Sequence, residues 1–264
     1  MNVLITGGTS GIGLEFAKIF AKEKNNLIIV SRTKKDLEKV KEFLEEKYKI
    51  NVLIIAKDLC QENAGKEVYD EIKKQNIDIN ILINNAGFAT YGNYIDLEYQ
   101  KQKDLAGVNM IALIELSYFF GKDMIKRRKG RILNMASIAA FQPGPFMAMY
   151  YSSKAFVLSF SQALAKEFEN TGVTVTVLCP GPTKTNFEQS AGMKKSFMFN
   201  KLKVDTSQMV AEEGYKALMK GKVICVTGIQ NKIITFLTRI TSKKLNRNIA
   251  YKINKGKSTE NRVI

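Results

Sequence analysis

The sequence predicts an α/β fold in which helices cover both faces of a parallel β-sheet. Short runs rich in Ile, Val and Leu alternate along the chain with longer segments of helical periodicity. The short runs are apolar at nearly every position, which is typical of strands buried on both faces of a parallel sheet. Strands that alternate with helices predict right-handed βαβ units and therefore a doubly wound sheet.

Seven strands and six helical segments make up this alternation. The strands are predicted at Val3–Ile5, Leu27–Val30, Val52–Ile55, Ile79–Ile83, Arg131–Met135, Val173–Leu178 and Val223–Val226. The helical segments are Ile12–Lys24, Lys34–Tyr48, Glu62–Gln75, Asp104–Lys126, Met149–Glu169 and Ser207–Lys220. No linker or repeat interrupts the series. We therefore predict a single domain over residues 1–228, followed by a C-terminal extension over residues 229–264.

Composition excludes several kinds of chemistry. The 264 residues include no histidine, which excludes a Ser-His-Asp triad, His-ligated zinc and a histidine general base. Acid–base chemistry would then rest on Asp, Glu, Lys, Tyr or Cys. The three cysteines, Cys60, Cys179 and Cys225, stand far apart, which predicts neither a disulfide framework nor a zinc site. With no secretory signal and no apolar run of membrane-spanning length apparent, we expect a cytoplasmic protein.

A glycine-rich turn follows the first predicted strand. From Thr6 to Gly13 the chain reads Thr-Gly-Gly-Thr-Ser-Gly-Ile-Gly and then enters the first helical segment. Glycines permit a tight turn and a close approach of the backbone to a pyrophosphate, and the N–H groups of a helix start favour phosphate. The turn predicts a dinucleotide site of Rossmann type with contacts from Gly7, Thr9, Ser10, Gly11, Ile12 and Gly13.

The end of the second strand bears on the choice of cofactor. NAD sites place an acidic side chain there for the ribose 2′-hydroxyl, whereas this strand ends in Ser31 and Arg32. A guanidinium matches the geometry of a 2′-phosphate, although the same arginine could simply lie in solvent. We therefore expect Ser31 and Arg32 to contact the cofactor, and NADP(H) to be favoured over NAD(H).

Further motifs follow in an order that resembles the short-chain dehydrogenase/reductase superfamily, from Asn2 to about Val226. The turn has the superfamily's Thr-Gly-x-x-x-Gly-x-Gly form, and Asn84-Asn85-Ala86-Gly87 follows the fourth strand. A serine follows the fifth strand, a Tyr-x-x-x-Lys pair opens the next helix, and Pro-Gly follows the sixth strand. The resemblance implies further cofactor contacts from Asp58, Leu59, Asn85, Ala86, Gly87, Tyr150, Lys154, Pro180, Gly181, Thr183 and Thr185.

Context is needed to identify the reactive pair, because Tyr-x-x-x-Lys occurs five times in this lysine-rich chain. Tyr150 alone has a serine thirteen residues earlier, Ser137, at the end of a predicted strand. It also opens the helix after the fifth strand. The other four pairs begin at Tyr69, Tyr99, Tyr118 and Tyr251.

The resemblance implies catalytic roles for Ser137, Tyr150, Lys154 and Asn109, and no metal. Tyr150 would donate a proton to a carbonyl oxygen, and the cation of Lys154, one helical turn on, would lower the pKa of that tyrosine. Lys154 would also hold the nicotinamide ribose, and Ser137 would hydrogen-bond the substrate oxygen. Asn109 would hold a water that links Lys154 to solvent.

The expected reaction interconverts a ketone and a secondary alcohol by hydride transfer. Residues 184–205 leave a strand end where ligands bind in open α/β sheets, so they are predicted to be a substrate loop, although a surface excursion is an alternative. Apolar side chains expected at the cleft favour an acyl or ring substrate: Phe141, Phe146, Met147, Met149, Phe187, Phe197 and Phe199. Alternatives are a non-catalytic cofactor-sensing or membrane-associated protein on the same scaffold, or an epimerase or dehydratase of the extended branch.

The C-terminal extension predicts one basic amphipathic helix within residues 231–257. It could pack over the substrate cleft, lie at a subunit interface, or contact an anionic membrane. The remaining basic residues are scattered, so the net charge of +16 does not lead us to expect a nucleic-acid partner. The resemblance implies a homodimer or homotetramer, and the apolar stretch Met110–Phe120 fits either an interface helix or the core.

Overall fold

The structure is a computed structural model that describes residues 1–184 and 204–255. The strands are β1 (Asn2–Thr6), β2 (Asn26–Ser31), β3 (Val52–Ala56), β4 (Ile81–Asn84), β5 (Gly130–Met135), β6 (Val173–Cys179), β7 (Thr183–Lys184), β8 (Asp205–Thr206) and β9 (Ile224–Val226). Seven of them form one parallel sheet in the order β3-β2-β1-β4-β5-β6-β9, and β7 pairs with β8 beside it. The predicted doubly wound Rossmann fold is therefore confirmed.

Helices cover both faces of the sheet. One face carries α1 (Gly11–Lys22), α2 (Lys34–Tyr48) and α7 (Ser207–Met219). The other face carries α3 (Ala64–Lys74), α5 (Ala112–Lys126) and α6 (Ala148–Glu167). The helix α4 (Tyr99–Ala106) precedes α5, and two helices, α8 (Ile229–Ile240) and α9 (Lys243–Lys255), follow the last strand.

The two-sided burial of β1 explains why its sequence is apolar without alternation. Val3 and Ile5 point to one face and pack in the same cluster as Phe16 and Phe20 of α1. Leu4, between them, points to the opposite face and joins the cluster around α3 and α5. Burial of each such side chain contributes roughly 1.5–3 kcal/mol, so both layers hold the carboxyl ends of the strands in place.

The segment predicted as one helix from Asp104 is interrupted by a π-helical turn. α4 ends at Ala106, residues Gly107–Ile111 form the turn, and α5 then runs to Lys126. The whole stretch Tyr99–Lys126 is long and apolar enough to cross a membrane by length and composition, contrary to our expectation. In this fold Leu116 and Phe120 are buried against the sheet, and the core helix of a protein without a membrane span meets the same criterion.

The C-terminal extension forms two helices, so the prediction of a single helix is wrong. Thr241 adopts an extended conformation and ends α8. The hydroxyl of Ser242 accepts a hydrogen bond of 3.2 Å from the N–H of Leu245, which caps the start of α9. The amide of Asn246 donates to the carbonyl oxygen of Thr238 at 2.9 Å and so fastens the two helices together. The boundary at residue 228 as a division between domains stays a prediction.

Candidate active site

The strand order reverses between β1 and β4, and a doubly wound sheet opens a crevice at that point. The hydroxyl of Thr6 accepts hydrogen bonds of 3.0 Å from the N–H groups of both Asn85 and Ala86. The side-chain amide of Asn85 donates to the carbonyl oxygens of Thr6 and Gly7, at 3.0 and 3.1 Å. Asn85 thus fixes the glycine turn. Thr6, absent from our predicted contacts, locks the two strand ends together.

The glycine turn has the shape that a pyrophosphate requires. Gly7 and Gly11 have φ angles of 66° and 52°, in the left-handed region that favours glycine. A Cβ atom on Gly13 would lie 2.2 Å from the carbonyl oxygen of Gly7, so the start of α1 can approach the turn only without a side chain. The side chain of Ser10 does not cap the N–H groups at the start of this helix. The residues present therefore fit the phosphates of a dinucleotide.

A cavity of about 990 Å³ extends from the glycine turn to α8 and α9. Most of the predicted site residues line it: Gly7, Thr9, Ser10, Gly11, Ile12, Ser31, Arg32, Asp58, Leu59, Asn85, Ala86, Gly87, Ser137, Tyr150, Lys154, Pro180, Gly181 and Thr183. Gly13 and Asn109 stand behind this wall rather than in it. Thr185 lies outside the described residues, as does all but the two ends of the predicted substrate loop.

Three of the predicted catalytic side chains meet at one wall of the cavity. The hydroxyl of half-buried Tyr150 is hydrogen-bonded with the hydroxyl of Ser137. The Nζ atom of Lys154 lies 5.7 Å from the centroid of the Tyr150 ring and donates a 2.8 Å hydrogen bond to the carbonyl oxygen of Met135. Ser137 itself is held by the end of β6, because its hydroxyl donates to the carbonyl oxygen of Pro180 at 3.4 Å.

Burial sets the charge state of this group. Removal from water raises the pKa of Tyr150, and the hydrogen bond with Ser137 opposes that rise only in part. We expected Lys154 to lower this pKa, but its ammonium group is bonded to the Met135 carbonyl and the desolvation of the phenol dominates. Desolvation also lowers the pKa of Lys154 to about 8. The site therefore holds a protonated phenol beside a lysine whose pKa is about 8.

Asn109 lies in the π-helical turn and braces the site from behind. Its side-chain amide donates hydrogen bonds of 3.1 Å to the carbonyl oxygen of Phe88 and to the hydroxyl of Ser153. Its oxygen accepts a 3.1 Å hydrogen bond from the N–H of Phe88. Ser153 in turn donates to the carbonyl oxygen of Tyr150 at 2.7 Å. The side chain of Asn109 thus connects the loop after β4 to the first turn of α6.

The opposite end of the cavity carries polar side chains from the glycine turn and from the segments at the ends of β2 and β3. The hydroxyls of Thr9 and Ser31 lie 3.2 Å apart, and Arg32 extends beside them in an exposed position. The carboxylate of Asp58 accepts a 3.0 Å hydrogen bond from the N–H of Cys60, which orders the turn after β3. Asp36 also lines this end, although the glycine and strand-end motifs did not mark it as a site residue.

The apolar end of the cavity differs from our expectation. Met147 lines it, but Phe141, Phe146 and Met149 do not. The ring of Phe141 instead lies against Arg239, and Phe146 contacts Tyr251. The remaining expected aromatic residues, Phe187, Phe197 and Phe199, lie outside the described residues. The described apolar wall comes largely from α8 and α9, which contribute Ile234, Leu237, Ile249, Ala250 and Ile253.

Comparisons with known proteins agree with this geometry. The family model described as short chain dehydrogenase matches residues 1–196. Hydroxysteroid dehydrogenase-like protein 1 of Gallus gallus is 34% identical over 202 residues, 74% of this chain and 60% of that protein. Very-long-chain 3-oxoacyl-CoA reductase of Bos taurus is 34% identical over 184 residues, 67% of this chain and 57% of that protein. The chain therefore spans less than two thirds of the length of these two relatives.

Two further similarities cover more of the chain. The 17-beta-hydroxysteroid dehydrogenase type 3 of Mus musculus is 30% identical over 244 residues, 91% of this chain and 76% of that protein. A short-chain dehydrogenase from Sphingobium yanoikuyae, solved in complex with NADPH, has a TM-score of 0.80 and 25% identity, covering 92% of this chain and 96% of that one.

A doubly wound sheet with a glycine turn and a Ser, Tyr and Lys group beside it defines a class of nicotinamide-dependent oxidoreductases. This chain belongs to the short-chain dehydrogenase family. The resemblance stated from its motifs is thus confirmed.

Proposed function

We propose that this enzyme interconverts a ketone and a secondary alcohol, uses NADP(H), and acts on a hydrophobic substrate. The observation that carries the proposal is the meeting of Ser137, Tyr150 and Lys154 at the wall of the cavity that the glycine turn also lines. One cavity therefore offers both a cofactor site and groups that can hold a carbonyl oxygen.

The chain's own residues would handle the proton and the developing charge. When bound, the nicotinamide would supply or accept the hydride. Because burial raises its pKa, Tyr150 keeps its proton at neutral pH and can donate it to a carbonyl oxygen during reduction. Ser137 would hydrogen-bond the same oxygen. The Lys154 ammonium, near the ring, would stabilise the phenolate that remains.

The preference for a hydrophobic substrate is supported by the wall from α8 and α9. Ile234, Leu237, Ile249 and Ile253 present branched apolar side chains to the cavity, together with Met147. Such a surface binds an acyl chain or a ring system more favourably than a small polar ketone. The named activities of the bovine and murine relatives concern an acyl-CoA and a steroid, and both are consistent with this proposal.

The preference for NADP(H) is supported by the end of β2. Arg32 lines the cavity there, and the strand ends in Ser31 where an NAD site would carry a carboxylate. The guanidinium can form a bidentate pair with a 2′-phosphate.

The reaction can be tested by following NADPH oxidation with a series of ketones of increasing chain length and ring size. We expect Tyr150→Phe to bind NADPH normally and to lose turnover, because the proton donor is gone. Tyr99→Phe is the matched control, since Tyr99 has the same spacing to a lysine but is exposed and lies away from the cavity. Retained turnover in the Tyr150 variant would contradict the mechanism. A preference for small polar ketones would contradict the proposed substrate class.

A homodimer or homotetramer is part of the same proposal. Ile111 and Tyr118 expose apolar side chains on the outer side of α5 and the turn before it, while Leu116 and Phe120 face the core. Size-exclusion chromatography with light scattering measures the assembly directly, and a monomer at micromolar concentration would contradict it. The cytoplasmic location and the absence of a nucleic-acid partner stay predictions.

A further inference from the structure

The helices α8 and α9 bury polar side chains and expose apolar ones, the reverse of an ordinary surface helix. Asn231, Asn246 and Asn254 are buried and donate to the carbonyl oxygens of Thr227, Thr238 and Pro145, respectively, at 2.8–2.9 Å. On the outside of α8, four side chains at helical spacing are 56–77% exposed: Ile229, Ile233, Phe236 and Ile240. We call these four the outer strip.

The outer strip lies within an unusually basic part of the chain. Between Gly228 and Lys255 the sequence contains no Asp or Glu and seven basic residues: Lys232, Arg239, Lys243, Lys244, Arg247, Lys252 and Lys255. The carboxylates of Glu213 and Asp205 lie at the start of α8, within hydrogen-bond distance of Gly228 and Asn231, but the two helices carry only cations of their own. An apolar strip on such helices favours a partner that is both apolar and anionic.

We propose that the outer strip and its basic surroundings bind the surface of an anionic lipid bilayer. The strip would enter the acyl boundary while the lysines and arginines meet lipid phosphates and carboxylates. A second copy of this chain would place seven cations against seven without counter-charges from these helices. A nucleic acid would pair with the cations but leave the isoleucines and Phe236 in water. The bilayer satisfies both features.

The outer strip lies next to the mouth of the reaction cavity. Leu237 and Ile249 are partly exposed and also line the reaction cavity, so apolar surface continues from the outer strip into the cavity. A hydrophobic substrate dissolved in the bilayer could then enter without crossing water. This second step rests on the proposed function, whereas binding to the bilayer does not.

Co-sedimentation with phosphatidylcholine vesicles, with and without phosphatidylserine, tests the binding. We expect the full-length protein to sediment with the anionic vesicles and to be released by high salt. Ile233→Glu with Phe236→Glu, and Lys243→Glu with Lys244→Glu and Arg247→Glu, should each lower the affinity by about tenfold or more. None of these side chains lines the cavity, so NADPH binding should be unchanged.

Matched controls separate the surface from general effects of charge and polarity. Ile95→Glu changes an exposed isoleucine elsewhere, and Lys122→Glu with Lys126→Glu and Lys129→Glu reverses three exposed lysines near the end of α5. Both should sediment like the wild type. Equal loss in the controls, or no preference for phosphatidylserine, would overturn the proposal. The proposal would also be overturned if the wild type were a dimer that does not bind vesicles and the substitutions at Ile233 and Phe236 converted it to a monomer.

Two ketone substrates distinguish the entry route from the reaction itself. With a water-soluble ketone and no vesicles, the outer-strip variant should match the wild type. With a long-chain ketone held in anionic vesicles, its kcat/KM should fall about as far as its vesicle affinity. Equal kcat/KM in vesicles would overturn the entry route alone, and absence of turnover with every ketone would overturn the proposed function alone.

Discussion

The Nζ atom of Lys154 lies 5.7 Å from the centroid of the Tyr150 ring, one helical turn away on α6. The same nitrogen donates to the Met135 carbonyl at the end of β5, so the lysine is held between the helix and the sheet. Its burial disfavours the ammonium form and lowers its pKa to about 8. The cation beside the tyrosine is therefore present at neutral pH but is lost within the alkaline range.

This pKa predicts how the proposed ketone reduction depends on pH. Below about pH 8 Lys154 is charged and can stabilise the Tyr150 phenolate, whereas above it the lysine becomes neutral. We expect kcat/KM for the ketone to fall as the pH rises through about 8. Lys154→Arg should be slower but should lack this fall, since a guanidinium stays charged. A wild-type profile that is flat to pH 10 would contradict the role of the cation, and Lys122→Arg provides an exposed control.

The same burial predicts that Lys154 destabilises the fold. A lysine pKa lowered from 10.5 to about 8 corresponds to a cost on the order of 3 kcal/mol for the charged form. Lys154→Met should therefore raise the free energy of unfolding. The gain should be smaller than that cost by roughly 1 kcal/mol, because the Met135 carbonyl loses its hydrogen bond. Urea unfolding measures this difference.

The pH dependence of that gain has a definite sign. Below about pH 8 the folded and unfolded states both carry the proton, so the cost is fully present. Between about pH 8 and 10.5 the folded wild type releases its proton first, and its stability rises with pH. The advantage of Lys154→Met should thus shrink across that window. An advantage that grew with pH would show that the ammonium group is stabilised rather than strained by its site.

Much of this architecture could be predicted because short stretches of sequence are enough to identify it. The apolar strands, the glycines at positions 7 to 13 and the serine thirteen residues before Tyr150 each carry their meaning in a short stretch of sequence. The Asn84 side chain, by contrast, donates to Ser117 and Asn134 in the core, partners that no spacing reveals.

The C-terminal helices show why the rest could not be predicted. Periodicity identifies an apolar side of α8 but does not say whether that side faces the protein or the outside. Here the polar sides of α8 and α9 turn inward, where buried asparagines donate to carbonyl oxygens. Asn231 and Asn246 find theirs nearby in the chain, whereas Asn254 donates to the distant Pro145. Phe146 was expected at the cavity as an apolar side chain near the cleft, but its left-handed backbone, with φ of 65°, accompanies a ring packed against Tyr91 and Tyr251.

The proposed preference for NADP(H) can be tested at one residue. Arg32→Asp removes the guanidinium and supplies the carboxylate that favours an unmodified ribose. We expect kcat/KM with NADPH to fall by roughly tenfold to a hundredfold, the range for loss of a charged hydrogen bond, while kcat/KM with NADH rises. Lys35→Asp makes a change of equal charge on an exposed residue of α2 outside the cavity lining and should leave the ratio unchanged. If the Arg32 variant had the same ratio of kcat/KM with NADPH to kcat/KM with NADH as the wild type, the role of this arginine would be refuted.

Asn254 fastens α9 to the wall of the cavity and thereby shapes the substrate site. Its amide donates to the carbonyl oxygen of Pro145 at 2.9 Å, its side chain is hydrogen-bonded with the hydroxyl of Tyr151, and its backbone carbonyl accepts from Tyr91. Asn254→Ala removes both side-chain bonds and leaves buried partners unsatisfied, at a cost of about 1–3 kcal/mol in unfolding free energy.

The loss should reach the substrate but not the cofactor. We expect Asn254→Ala to raise KM for a bulky ketone, because Ile249, Ala250 and Ile253 on α9 form part of the apolar wall. The Kd for NADPH should stay constant, because the glycine turn lies at the other end of the cavity. Asn248→Ala, an exposed change on the same helix, should alter neither quantity. If the Asn254 variant weakened NADPH binding as much as ketone binding, α9 would be supporting the whole site rather than the substrate wall.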